Sequence, residues 1–97
     1  MRLYPFKRGH KKGIDEIEVI MKEIFGDVSR ENGHLLASYG ALEKIEIWIE
    51  EGKMAAETKS RKVESSISQE TLKRWNDFLF RVTGYTAKER KKRMTKT

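Results

Sequence analysis

The residues of this chain whose types suggest catalysis or metal binding are two histidines, a serine and an acidic run after Gly26, and their spacing supports neither. His10 and His34 fall in separate segments with no His-x-x-x-His pair, so both read as solvated rather than as ligands. Asp27, Ser29 and Glu31 begin like a calcium loop. The sixth position, however, is Asn32 where that loop needs glycine, and the twelfth is Ser38 where it needs glutamate. Ser38 and His34 would share one side of a strand, but at ~3.3 Å per residue they stand about 13 Å apart, too far for a nucleophile and its base. The segment from Gly9 to Gly13 encloses basic residues and matches neither the P-loop nor the dinucleotide fingerprint. With no cysteine, thiolate chemistry, thiolate metal sites and disulfides are excluded. No catalytic residue, cofactor or metal is therefore expected, and the reading is of a protein that is not an enzyme.

The remaining chemistry is that of cations. Residues 1–13 hold five basic residues and no carboxylate, residues 85–97 hold six basic residues against Glu89, and the stretch between has ten basic and fourteen acidic. The formal net charge of +6 thus arises at the two ends. Segregation of this kind concentrates positive potential on any surface the ends share and favours a polyanion. Lys7, Arg8, Lys11 and Lys12 flank glycines that allow close backbone approach. Lys88, Arg90, Lys91, Lys92 and Arg93 cover more than one side of a short helix, as phosphate-contacting helices do. Tyr85, with Phe6, lies close enough in sequence to stack on unpaired bases. The alternative use of these charges is a solvated, solubilising surface.

Ninety-seven residues make one domain, 1–97, with a basic N-terminal segment at 1–13 and a basic C-terminal helix or tail at 86–97. No apolar run approaches the roughly 20 residues of a membrane span, and the absence of cysteine fits a reducing compartment, so a cytoplasmic protein with no membrane partner is expected. Residues 3–8 alternate weakly, but Pro5 restricts them to an edge strand. From Ile14 the apolar residues Ile17, Ile20, Met21, Ile24 and Phe25 follow helical spacing, with Asp15 and Glu16 in the first turn and Gly26 as a left-handed terminator.

A polar loop containing Asn32-Gly33 leads to a short strand at 34–39. Ile45, Ile47 and Ile49 then alternate with Lys44, Glu46, Trp48 and Glu50, and after a turn at Glu51-Gly52 the chain returns over 53–60 with Met54, Ala56 and Thr58 inward. Ser68 reads as an N-cap, with Ile67 and Leu72 as a hydrophobic staple and Leu72, Trp75, Leu79 and Val82 as the buried stripe of a helix ending at Gly84. Thr86 to Glu89 matches the capping box of a further short helix. The fold class is α+β, (β)αβββαα, an antiparallel sheet of three to four strands with two main helices on the isoleucine face.

On the opposite face Trp48 projects outward, with Leu36, Leu42 and Ala55 beside it. This surface fits a protein partner or a second copy of the chain. The Lys/Arg-Gly-Phe-Gly-Phe signature of RRM sheets is missing, and Gln69 to Arg74 lack the lysine cluster of a double-stranded RNA-binding domain.

Lys7-Arg8-Gly9-His10, Phe25-Gly26, Ser38-Tyr39-Gly40, Asn76-Asp77-Phe78-Leu79 and Thr83-Gly84-Tyr85-Thr86-Ala87-Lys88-Glu89-Arg90 together resemble a family of small uncharacterised archaeal proteins of about this length. The resemblance implies an archaeal origin and a single α+β domain, and it assigns no activity. Two functions remain open: binding of RNA or DNA through Lys7, Arg8, Lys11, Lys12, Tyr85, Lys88, Arg90, Lys91, Lys92 and Arg93, or protein interaction and homodimerisation through Trp48, Leu36 and Leu42.

Overall fold

The computed structural model describes residues 2–90. Its elements are β1 (Arg2–Tyr4), α1 (Ile14–Phe25), β2 (Ser29–Glu31), β3 (His34–Tyr39), β4 (Leu42–Glu50), β5 (Lys53–Ser60) and α2 (Ser65–Thr83), followed by a helical turn at 87–90. The five strands form one antiparallel sheet in the order β1-β5-β4-β3-β2. Ile17, Met21, Ile24 and Phe25 from α1 and Phe78, Leu79 and Val82 from α2 meet Leu35, Ile45, Ile47 and Met54 in one core. Both main helices thus cover a single face of the sheet, as the α+β reading requires. At the edge, β1 pairs with β5 up to Tyr4↔Met54, and Pro5 follows directly.

The additional strand β2 carries no apolar signal, since Ser29, Arg30 and Glu31 are all exposed. It forms because Asn32 (φ 53°) and Gly33 (φ 78°) both adopt positive φ, the two-residue hairpin geometry whose twist matches paired strands. Arg30 then ties it to α1 through Asp15 and, at 3.3 Å, Glu18. Gly26 ends α1 at φ 92° and ψ −111°, a positive φ outside the left-handed helical well expected there.

Helix α2 begins at Ser65, three residues before the expected cap, and Ser68 donates its own amide to Glu64 O at 3.0 Å as part of the helix. Its inward stripe is Thr71, Phe78, Leu79 and Val82 with Trp75 half-buried, while Leu72 is 60 % exposed. The cause is polar. The Ala41 amide donates to Thr71 Oγ1 (2.9 Å), which itself donates to Ile67 O (2.7 Å), so the helix turns its threonine rather than its leucine inward. Leu72 and Ile67 therefore form no staple. Ile49 and Thr58, expected inside, lie near strand ends and are exposed.

Leu42 also changes face. The β4–β5 register runs Leu42↔Ser60 and then Lys44↔Lys59, leaving Glu43 as an extra residue. A bulge of one residue reverses side-chain direction, so Leu42 packs against the core and leaves the Trp48 surface.

Candidate nucleic-acid interface

Beyond β1 the chain crosses Phe6, half-buried on the core, and at Lys7 its amide donates to Thr83 O at the end of α2 (2.7 Å). A turn follows in which the His10 amide donates to Lys7 O (2.8 Å). His10 then lies against Gly84, where φ is +84° and an added Cβ would fall 2.8 Å from the imidazole. Glycine is required at that position twice over, by its backbone conformation and by this close approach. The basic segment at 7–12 therefore lies beside residues 83–90, where the C-terminal basic segment begins.

The C-terminal turn is built as the capping box foresees. Glu89 N–H donates to Thr86 Oγ1 (3.2 Å) and Thr86 N–H donates to Glu89 Oε1 (3.0 Å). The bond from the Thr86 amide holds the Glu89 carboxyl below its ordinary range. A depressed folded pKa contributes stability above the unfolded value that is lost as pH falls through the folded one. The Thr86 amide proton should accordingly lose its protection, followed by NMR, only on acidification below the normal glutamate range. Thr86→Ala should remove about 1 kcal/mol of local helix stability and leave every positive charge in place.

Not all the predicted cations are available to a ligand. Arg90 Nη1 donates to Tyr85 O (2.7 Å) and Nη2 to Asn76 Oδ1 (3.1 Å), and burial lowers its pKa. Arg90 thus clamps the last turn onto α2. Lys7 Nζ lies 3.6 Å from Glu89 Oε2 and 5.9 Å from the Tyr85 ring centroid. Arg8, Lys11 and Lys88 are exposed and Lys12 half-buried, and none of the four makes an ion pair among the described residues. Lys91, Lys92 and Arg93 lie outside the described residues.

The model of a domain of unknown function, DUF5611, matches residues 1–96. The chain belongs to that family. The solution structure of a hypothetical protein from Thermoplasma acidophilum, an archaeon, is similar over 100 % of both chains, with a TM-score of 0.73 and 34 % identity. Comparison with functionally curated proteins gave no match. The resemblance read from the motifs is thus the right one, and it carries fold without activity.

In this family domain the outer sheet face is the second candidate surface. Register aligns Leu3, Ala55 and Trp48 across β1, β5 and β4, and β3 continues the row with His34, whose ring stacks on Trp48 at 4.7 Å and 6°. His34 Nδ1 also lies 2.5 Å from Glu46 Oε2, and this bond is the first cause of the depressed Glu46 pKa. His34 is therefore part of a stacked, hydrogen-bonded cluster rather than an isolated side chain. Sequence reasoning missed this because the partnership depends on register between β3 and β4. Leu36 stays on this outer face, and Ala55 is fully buried within it. Among the described residues there is no group of three or more potential metal ligands and no helix long and apolar enough to cross a membrane.

Proposed function

We propose that this domain is a non-catalytic module that binds RNA or DNA through the phosphate backbone, using Arg8, Lys11, Lys12 and Lys88 on the surface where residues 7–12 meet residues 83–90. The observation that carries the reading is the bond from Lys7 N–H to Thr83 O, which puts two segments separated by most of the sequence side by side. Two basic stretches that are each modest alone then act on one polyanion, and phosphate contacts of this kind carry affinity without sequence preference. Lys7 and Arg90 serve the site by fixing its geometry. Fluorescence anisotropy of labelled oligonucleotides at low and high salt tests the proposal, and no binding at low salt would reduce the charges to a solubilising surface.

The row Leu3–Ala55–Trp48–His34 supports a second reading, a contact between copies of the chain, because both main helices lie on the other face. If this face self-associates, sedimentation should show a dimer that Trp48→Lys dissociates, since a central tryptophan anchors such contacts. A parent protein that sediments as a monomer at high concentration removes this reading.

A further inference from the structure

Trp75 is half-buried on α2, with its indole packed on Phe78 (5.5 Å) and Phe25 (6.3 Å). It also lines a cleft of about 330 Å³ whose other walls are Arg2, Tyr4, Ala56, Glu57 and Thr58. A second, smaller cleft of about 180 Å³ shares Trp75 and Thr58 and extends to Leu42, Thr71 and Leu72. Together they form one groove along the side of α2. It has an aromatic wall, a polar half and an apolar half, and the exposed Leu72 belongs to the apolar half. We infer that this groove seats unpaired bases of a single-stranded nucleic acid, one of them against the Trp75 indole.

The inference rests on the nucleic-acid reading above and narrows its substrate to single strands. The groove and the converged cations are joined physically. The N-terminal segment runs from Arg2 and Tyr4 in the groove directly to Lys7, Arg8 and the basic loop. On the other side, Arg90 bonds to Asn76, the neighbour of Trp75. A strand whose phosphates follow Arg8 and Lys88 can therefore turn its bases toward Trp75. Stacking on an aromatic ring tolerates any base, because every base presents a π face. The polar wall supplies what base edges need: guanidinium donors from Arg2 and the hydroxyls of Tyr4 and Thr58. A duplex, with its bases already stacked and paired, gains nothing from the groove.

The two tryptophans make the test selective. In Trp48→Phe the remaining indole is Trp75, and in Trp75→Phe it is Trp48. Titration of Trp48→Phe with a ten-residue oligothymidylate at low salt should quench emission saturably, with the midpoint seen by anisotropy of the same labelled oligomer. A ten-base-pair duplex should leave emission unchanged, and Trp75→Phe should show no quench with either. Trp75→Leu, which abolishes stacking, should weaken oligothymidylate binding on the order of 5- to 150-fold while sparing the duplex. Arg2→Ala, at an exposed edge, should weaken the single strand selectively and keeps the test open if Trp75→Leu fails to fold. Anisotropy showing equal binding of single strand and duplex with Trp75 emission unchanged would overturn the groove and leave the polyanion reading standing. Quenching of Trp48 instead would overturn it in favour of the sheet face. No binding of either oligomer at low salt would remove both readings.

Discussion

Phe78→Ala should lower the melting temperature by roughly 12 to 40 °C, and the neighbouring Leu72→Ala should hardly move it. Phe78 is fully buried where α1, α2 and the sheet meet, with its ring 5.4 Å from Phe25 and 5.5 Å from Trp75. Truncating such a ring loses its transfer free energy and leaves a cavity lined by side chains from both helices, a cost of about 3 to 5 kcal/mol. In a domain of this length each kcal/mol shifts the midpoint by about 4 to 8 °C. Leu72 sits six residues earlier on the same helix and is mostly exposed, so its truncation should stay within about 0.5 kcal/mol. Paired melting curves followed by circular dichroism decide the matter. Equal losses for both variants would mean that α2 is rotated relative to the face described.

That pair of residues marks where the sequence was legible and where it was not. Helical periodicity located α2 and its stop at Gly84, because apolar spacing and a glycine terminator are local signals. The choice between a stripe led by Thr71 and one led by Leu72 was not local, since it depends on Ala41, thirty residues away, needing an acceptor for its amide. The same division runs through the sheet. The alternation of Ile45 and Ile47 declared a buried face, whereas the bulge at Glu43 that turns Leu42 inward leaves no trace in an alternating pattern. β2 leaves no apolar signal because its residues are polar, and its one local mark is the Asn32-Gly33 hairpin turn.

For the candidate site, the capping box at Thr86 was readable from four residues, and both of its bonds are present. Charge counting found the two basic ends without showing that residues 7–10 lie against the start of the second, which depends on the Lys7 bond to Thr83 and the contact of His10 with Gly84. Nor could it tell which cations the fold uses for itself. Arg90 and Lys88 look alike in sequence, yet one is bonded to Tyr85 and Asn76 and the other is exposed.

This distinction shapes the charge experiment. Replacing Arg8, Lys11, Lys12 and Lys88 by Gln should flatten the salt dependence of nucleic-acid binding without altering the melting temperature. If each of the four neutralises one phosphate, counterion release gives them a log-log slope of about −2.8 on single strands and about −3.6 on duplex DNA. Between 50 and 200 mM salt that corresponds to a loss of affinity of roughly 50-fold and 150-fold respectively. The fourfold variant should forfeit this component on every sequence alike, because backbone contacts carry no sequence information. Adding Gln at Lys91, Lys92 and Arg93 separates the contribution of the last residues of the chain. Arg90→Gln belongs in neither set: it removes the clamp on Asn76 and should lower stability, so a binding defect in that variant would report lost geometry rather than lost charge. A fourfold variant that binds as tightly as the parent, with the same salt slope, would show that the surface where residues 7–12 meet residues 83–90 is not where the polyanion lies.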